Sequence, residues 1–160
     1  MKAKDIMEST KDVLTPENTI REAVAKMRMA VRVETKGLVG VKAMVVEDRP
    51  GHPVGILSMT DILRAIIPWY LEEGRVSEFT WDGMLEAMAR KVADKTVGEL
   101  MDHELITVDQ EAPLMECAEL LVKNNLQRIP VVDQAGMLCG VVYLRDLYHA
   151  IVKAFAGEDK

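Results

Sequence analysis

The sequence predicts a mixed α/β fold made of two copies of one small unit, and three observations support this. Similar segments recur in the same order, so that Met7 and Met101 occupy equivalent positions 94 residues apart. Each copy contains two short apolar runs separated by turn-forming residues, which is the pattern of a β-hairpin. Each copy also has apolar residues at helical spacing on both sides of that hairpin.

The repeat covers five matched stretches. They pair residues 4–7 with 98–101, 20–23 with 114–117, 45–47 with 131–133, 55–57 with 140–142, and 61–63 with 146–148. The offset falls from 94 to 85, so the first copy carries nine additional residues. Eight of them lie around residues 31–41 and one lies in the hairpin turn near residues 48–52. Two collinear copies indicate a duplication.

Within each copy the predicted order is strand, helix, strand, strand, helix. Thr19 and Glu22 form a capping box that begins the first helix of the first copy, and Pro113 suits the first turn of its counterpart. The predicted buried stripes are Ile20, Ala23, Val24, Met27 and Val31 in one helix, and Leu114, Cys117, Ala118 and Leu121 in the other. The hairpin strands are residues 43–46 with 54–57, and 129–132 with 138–142; the last helix begins near Asp61 or Asp146.

An unrepeated stretch separates the copies. Pro68 is expected to end the helix before it. An amphipathic linking helix then follows, with Trp81, Met84, Leu85, Met88 and Val92 on its apolar face and Ser77 or Thr80 as its cap. We interpret Trp81 as a core residue rather than a ligand contact. The predicted boundaries are 1–68 for the first copy, 69–94 for the linker, 95–155 for the second copy and 156–160 for a tail.

Composition excludes several classes of protein. The formal net charge of −6 argues against a nucleic-acid-binding protein, which needs a basic face. No apolar run is long enough to span a bilayer, and no hydrophobic signal region follows the N-terminus, so we expect no membrane association and a cytoplasmic location. Cys117 and Cys139 sit in apolar patterns and are expected in the core rather than at a metal.

The sequence also gives little support for catalysis. It contains no Ser/His/Asp set, no glycine-rich phosphate loop and no His and carboxylate residues at metal-ligand spacing. His52, His103 and His149 are interpreted as structural or exposed. We therefore expect a protein that is not an enzyme, with no required cofactor.

Together these residues resemble a known family. The second copy, over residues 97–101, 106–108, 128–133 and 140–147, closely resembles a CBS domain. The first copy resembles a more divergent CBS domain, most clearly over residues 55–63. No single motif is specific, but their order and duplication together are.

The resemblance implies two β-α-β-β-α units that pack as a pseudo-twofold pair and leave two clefts. It implies a regulatory module that binds AMP, ADP, ATP or S-adenosylmethionine and senses metabolite or energy state by a shift in packing. It further implies a homodimer. Because we see no effector domain in the sequence, we expect the chain either to regulate a protein partner in trans or to act by its own oligomerisation. The alternative is a ligand-free pair that serves dimerisation or docking.

The family's cleft motif, Gly-hydrophobic-x-Ser/Thr-x-x-Asp, assigns ribose contacts to Asp61 and Asp146. It also places Ser58, with Thr60 adjacent, near the phosphates, whereas Tyr143 stands where Ser or Thr is usual. The first copy is therefore expected to matter more for phosphate. The residues themselves leave an alternative open, because Ser58 and Asp61 also have the spacing of a capping box.

Four further residues complete the predicted site. Lys42 and Arg128 are equivalent, and the resemblance points each toward a phosphate, with Arg145 as an additional cation. Thr107 resembles the family's threonine near the adenine. The alternatives are surface cations at strand starts and, for Thr107, a residue that simply favours a strand.

Overall fold

The computed structural model describes residues 1–10, 12–34, 37–40, 42–67 and 83–157. The chain forms two compact units, which we call the first unit (residues 12–105) and the second unit (residues 1–11 with 106–160). These units do not coincide with the sequence copies. The opening stretch of each copy, its lead-in segment (residues 1–11 or 95–105), belongs to the unit built mainly from the other copy.

The first unit contains helices and two antiparallel hairpins. Its described elements are α2 (Ile20–Met29), β1 (Val31–Glu34), β2 (Gly37–Gly40), β3 (Ala43–Arg49), β4 (His52–Ser58), α3 (Met59–Ile66), α4 (Met84–Val92) and α5 (Val97–Leu100). The β3–β4 hairpin is the predicted one, and Leu14 adds a parallel bridge to Val46 where the second copy has a strand. The β1–β2 hairpin occupies the insertion near residues 31–41, where we predicted no strand and expected Val31 on the helical stripe of α2.

The second unit has one three-stranded sheet, ordered β5–β6–β7. Its described elements are α1 (Ala3–Ile6), β5 (Val108–Asp109), α6 (Leu114–Lys123), β6 (Arg128–Val132), β7 (Leu138–Tyr143) and α7 (Leu144–Phe155). β5 runs parallel to β6, and β6 and β7 form the predicted hairpin. The predicted strand–helix–strand–strand–helix order is therefore observed in this copy.

Each unit buries its own apolar core. The core of the first unit is Leu14, Ile20, Ala23, Met27, Ala30, Met44, Val46, Leu57, Val92, Val97 and Met101. The core of the second unit is Ala3, Val108, Ala112, Cys117, Leu121, Ile129, Val131, Val142 and Leu147. Val97 and Met101 lie in one lead-in segment and Ala3 in the other, so both lead-in segments contribute to the hydrophobic stabilisation of the unit they join.

Several local predictions need correction. Val24 was expected in the buried stripe of α2 but is exposed, and Leu85 was expected on the apolar face of α4 but is also exposed. The other three predicted residues of this face that are described, Met84, Met88 and Val92, do turn inward, at a strict four-residue spacing. Gly83 caps α4 at its N-terminus. The predictions for Pro68, Ser77, Thr80 and Trp81 lie outside the described residues.

The N-terminal lead-in segment is held to the second unit by backbone and charged contacts. The N–H of Ala3 donates to the carbonyl of Ala112 at 2.8 Å. The Nζ atoms of Lys2 and Lys4 lie 2.5 and 2.6 Å from the two carboxylate oxygens of Glu111. These two hydrogen-bonded ammonium groups lower the pKa of Glu111 to about 2, and the same contact raises the pKa of Lys4.

Candidate functional site

The first candidate site lies where β4 ends and α3 begins. Ser58 is the N-cap of α3, and its hydroxyl accepts a hydrogen bond from the N–H of Asp61 at 3.2 Å. In return, Oδ2 of Asp61 accepts from both the N–H and the hydroxyl of Ser58, each at 2.9 Å. The capping box suggested by the spacing is therefore formed, and it fixes the Asp61 carboxylate at the helix start.

The second carboxylate oxygen of Asp61 faces a cation. Its Oδ1 lies 3.4 Å from Nη1 of Arg64, one turn further along α3. The side chain of Asp61 is only 12% exposed, whereas that of Arg64 is 66% exposed. Because Arg64 is largely solvated, this ion pair contributes little to stability. Arg64 can thus move without a large penalty, while Asp61 is held in place.

An open cavity of about 410 Å³ lies beside this helix end. It is lined by Asp61, Arg64, Leu100, Met101, Asp102, His103 and Glu104. The volume falls in the range of roughly 300–1,000 Å³ that is usual for small-molecule sites. All seven residues belong to the first unit, although five come from the lead-in segment of the second sequence copy. That segment therefore forms one wall of the first copy's cleft.

Backbone hydrogen bonds hold this wall in place. The N–H of Asp102 donates to the carbonyl of Ile56 at 3.0 Å, and Oδ1 of Asp102 accepts from the N–H of Glu104 at 3.0 Å. Nε2 of His103 lies 2.9 Å from the carbonyl oxygen of Gly98. Since a carbonyl oxygen only accepts, Nε2 carries the hydrogen in this contact.

Sequence reasoning did not find Asp102 and Glu104, and it treated His103 only as structural or exposed. The repeat did mark their place, because they directly follow Met101, the equivalent of Met7. What the repeat could not indicate is that the lead-in segment of one copy packs against the other copy. Without that exchange, nothing in the spacing brings residues 102–104 near Asp61.

The remaining predicted residues of the first copy lie around the same strand end. The carbonyl of Lys42 accepts a hydrogen bond from the N–H of Met59 at 2.9 Å, and Ala43 is paired with Ser58. Lys42 and Thr60 are both exposed. Within the described part of the chain, the lining of the cavity includes Asp61 but not Ser58, Thr60 or Lys42.

The second copy brings its predicted residues together at the equivalent point. Arg128 begins β6 and is paired with Tyr143, the last residue of β7. Tyr143 is the N-cap of α7, and its side chain makes no capping hydrogen bond, in contrast to Ser58. Asp146 is the third residue of α7, and its Oδ1 lies 3.9 Å from Nε of Arg145.

Thr107 lies at the same edge of the second unit's sheet. It directly precedes β5, whose Val108 is paired in parallel with Val131 of β6. Because parallel strands begin at the same edge, Thr107 lies at the end of the sheet where Arg128 begins β6. The register thus places Thr107, Arg128 and the start of α7 at one edge.

Cys117 is buried and Cys139 is half-buried, and burial is the main cause that raises the pKa of both thiols. Among the described residues, no group of three or more His, Cys, Asp or Glu side chains is placed to hold a metal ion. No helix in that part of the chain is long and apolar enough to cross a membrane.

Comparison with known proteins identifies the family. A model of the CBS domain matches residues 3–68 and 97–153, which is most of the chain and falls in two segments that correspond to the two copies. This chain belongs to the CBS domain family. The predicted mixed α/β fold and the resemblance to a tandem CBS pair are both confirmed.

Two relatives show similarity over much of the chain. The uncharacterized protein MJ1426 of Methanocaldococcus jannaschii is 31% identical over 123 residues, which cover 66% of this chain and 70% of that protein. The mitochondrial CBS domain-containing protein CBSX3 of Arabidopsis thaliana is 29% identical over 140 residues. That match covers 86% of this chain but 55% of CBSX3, so the chain spans little more than half of this relative.

Solved structures share the architecture. The CBS-pair protein CBSX2 of Arabidopsis thaliana, in complex with AMP, has a TM-score of 0.65 at 24% sequence identity. The match covers 96% of this chain and 98% of that one. At this level of identity the comparison establishes the fold.

Proposed function

We propose that this CBS pair is a regulatory, non-catalytic module that binds an adenosine-containing ligand. The observation that carries the proposal is the position of Asp61. It is nearly buried, it is fixed by Ser58, and it lines an open cavity of about 410 Å³. Asp146 has the equivalent position in the other copy, three residues after the end of its strand. The AMP complex of CBSX2, a protein with this fold, adds support.

The chemistry of the predicted residues suits such a ligand. A carboxylate only accepts hydrogen bonds, so Asp61 and Asp146 each suit the vicinal hydroxyls of a ribose. Arg128 and Arg145 offer cations near Asp146 for a phosphate, and Arg can contact two phosphate oxygens at once. Thr107 would contact the adenine side at the same sheet edge. Ser58, Thr60 and Lys42 complete the proposed first site.

Ligand binding would act through the lead-in segments. In the first unit, a ligand at Asp61 would touch both the first copy and residues 101–104, which lead directly into the second copy. A ligand that favours one arrangement of these segments shifts the population toward it. A protein partner in trans, or a second copy of this chain in a homodimer, would read that shift in the cytoplasm.

A ligand-free scaffold is the second candidate, and one observation favours it. Both oxygens of Asp61 already have partners, namely Ser58 and Arg64. In the scaffold hypothesis, Ser58 and Asp61 only cap α3, and the pair of domains serves docking. The two hypotheses predict different responses to nucleotides.

Thermal unfolding with added ligands separates them. AMP, ADP, ATP and S-adenosylmethionine are each added at millimolar concentration, with GMP as the matched control. A ligand at a hundred times its Kd stabilises the folded state by about 2.7 kcal/mol. Since each kcal/mol moves the Tm of a domain of this size by roughly 2–4 °C, we expect a rise of several degrees with at least one adenosine compound.

Variants of the two aspartates then identify which cleft binds the ligand. Asp61→Ala and Asp146→Ala should each remove the stabilisation at their own cleft, because two ribose hydroxyls lose their partner at a cost of about 1.5–3 kcal/mol. In the scaffold hypothesis, the variants lower the Tm of the free protein and no nucleotide raises that of the parent. An unchanged parent melting curve with all four compounds would reject the proposed function.

A further inference from the structure

The cavity beside Asp61 offers many more hydrogen-bond acceptors than donors. The carboxylates of Asp61, Asp102 and Glu104 only accept. Nε2 of His103 is already engaged, since it donates to the carbonyl of Gly98 at 2.9 Å. Among the described lining residues, Arg64 has the only permanently cationic side chain, and that cation faces Oδ1 of Asp61. The lining therefore carries a surplus of negative charge.

This surplus restricts which ligands fit. A phosphate monoester carries a charge of about −1.5 to −2 at neutral pH. A phosphate beside three carboxylates places like charges close to one another. The resulting repulsion opposes the binding of phosphate-containing ligands. The hydroxyls of a ribose and the amino group of an adenine are donors, and a cationic substituent is attracted. The wall suits the nucleoside part of a nucleotide but not its phosphate.

From this geometry we propose that the cleft at Asp61 takes an adenosine derivative whose 5′ substituent is positively charged or neutral, and that it rejects 5′-phosphates. The inference rests on the proposed function and narrows the ligand of this one site. It reverses the expectation that Ser58 and Thr60 make the first copy the phosphate site. The Ser58 hydroxyl is engaged with Asp61, and neither residue lines the cavity.

The second unit has a less acidic lead-in segment, because Thr10 stands at the position equivalent to Glu104, although Glu8 keeps a carboxylate at the position equivalent to Asp102. In the second unit, Arg145 lies beside Asp146, and Arg128 is paired with the residue that caps the same helix. These cations suit a phosphate. A CBS pair with one cleft for each class of ligand would respond to the relative concentrations of an adenine nucleotide and a phosphate-free adenosine derivative.

The test measures ligand binding at the first cleft alone, because Asp146→Asn removes the proposed ribose-binding carboxylate of the second cleft. The full chain carrying Asp146→Asn is titrated calorimetrically with S-adenosylmethionine, adenosine and AMP. S-adenosylmethionine, which bears a sulfonium and an ammonium group, should bind about tenfold or more tightly than AMP. Adenosine should fall between them. Asp61→Asn in the same background should abolish binding of all three.

A charge variant in the wall gives a second measurement. Glu104→Gln should reduce the ratio of the affinity for S-adenosylmethionine to the affinity for AMP by about two- to fivefold, as expected for one partly exposed charge pair. Glu86→Gln, on an exposed position of α4 in the same unit, is the matched control and should leave the ratio unchanged. These two variants can also be compared in the parent, so the test does not depend on the folding of Asp146→Asn.

The outcomes separate the inference from the proposed function. If AMP binds the Asp146→Asn protein at least as tightly as S-adenosylmethionine, with or without Mg²⁺, the inference is wrong while the proposed function stands. If Glu104→Gln and Glu86→Gln change the ratio equally, the charge of the wall is irrelevant and the inference fails. If no adenosine compound binds the parent, both are wrong.

Discussion

Gly140 approaches the backbone of Glu8 so closely that no side chain fits between them. A Cβ on Gly140 would lie 2.6 Å from the carbonyl oxygen of Glu8. Glu8 also exchanges two backbone hydrogen bonds of 2.9 Å with Val141. Gly55 has the same relation to Asp102, with a distance of 2.7 Å. The glycine that opens the cleft motif is therefore required because a lead-in segment crosses the strand there.

Gly140→Ala should lower the free energy of unfolding by about 1–3 kcal/mol, because the backbone of Glu8 must move to admit the methyl group. Urea denaturation followed by circular dichroism measures the change. Gly136→Asn is the control: its Cβ meets nothing within 4 Å, and Asn tolerates the positive φ of 78°. Equal losses in both variants would contradict the close-approach explanation.

The contact between Glu111 and the two lysines predicts a pH dependence. The pKa of Glu111 is about 2 in the folded protein, well below the ordinary glutamate value of 4.5. A lowered pKa in the folded state means that its stabilisation is present above pH 4.5 and is lost as the pH falls toward 2. Glu111→Gln should flatten the decline of Tm in this window, and so should high salt, which screens the exposed charges.

Glu116→Gln serves as the control for this experiment, since it removes a carboxylate from the same unit without touching Lys2 or Lys4. Its Tm should follow the same acid decline as the parent. A Glu111→Gln variant that declines as steeply as the parent between pH 4.5 and 2 would show that the ion pairs do not stabilise the lead-in segment.

The capping boxes of α2 and α3 allow a matched comparison. Thr19→Ala and Ser58→Ala each remove a side-chain cap and should each cost about 0.5–2 kcal/mol of stability. Only Ser58→Ala should also weaken ligand binding, because Ser58 orients Asp61 beside the cavity. The measurement is the ligand-induced rise in Tm of each variant. An equal loss of that rise in Thr19→Ala would disprove a specific role for Ser58.

We expect the chain to be a homodimer in solution. Tyr148, Ile151, Val152 and Phe155 lie at helical spacing along α7, and each is at least 40% exposed. A second copy would cover this apolar stripe. Light scattering at micromolar concentration should give the mass of a dimer, and Phe155→Glu should shift it toward the monomer. Lys153→Glu is the control on the same helix, and a monomeric parent would refute the expectation.

The parts of the fold that depend on local pattern could be predicted from the sequence. The capping box at Thr19 and Glu22 and both principal hairpins formed where the spacing indicated. The position of Asp61 and Asp146 near the start of a helix was also predicted from the repeat. These features are encoded within a few residues.

The parts that depend on contacts between distant segments could not be predicted. Periodicity placed Val24 and Leu85 on buried faces, but burial is decided by which element packs there, and none covers them in the described structure. The cavity wall at His103 and its neighbours was missed for the same reason. The negative charge that Asp102 and Glu104 bring to the site becomes apparent only in the structure, where the lead-in segment lies beside Asp61.

The exchange of lead-in segments has a consequence for how such a protein can arise. One copy of the repeat, folded on its own stretch of chain, lacks the segment that contributes to its core and forms a wall of its cleft. A single copy could therefore complete its core and its cleft only by exchanging lead-in segments with a second chain, as in a domain-swapped dimer. In this chain the exchange is internal, so each copy has its counterpart on the same polypeptide at every protein concentration.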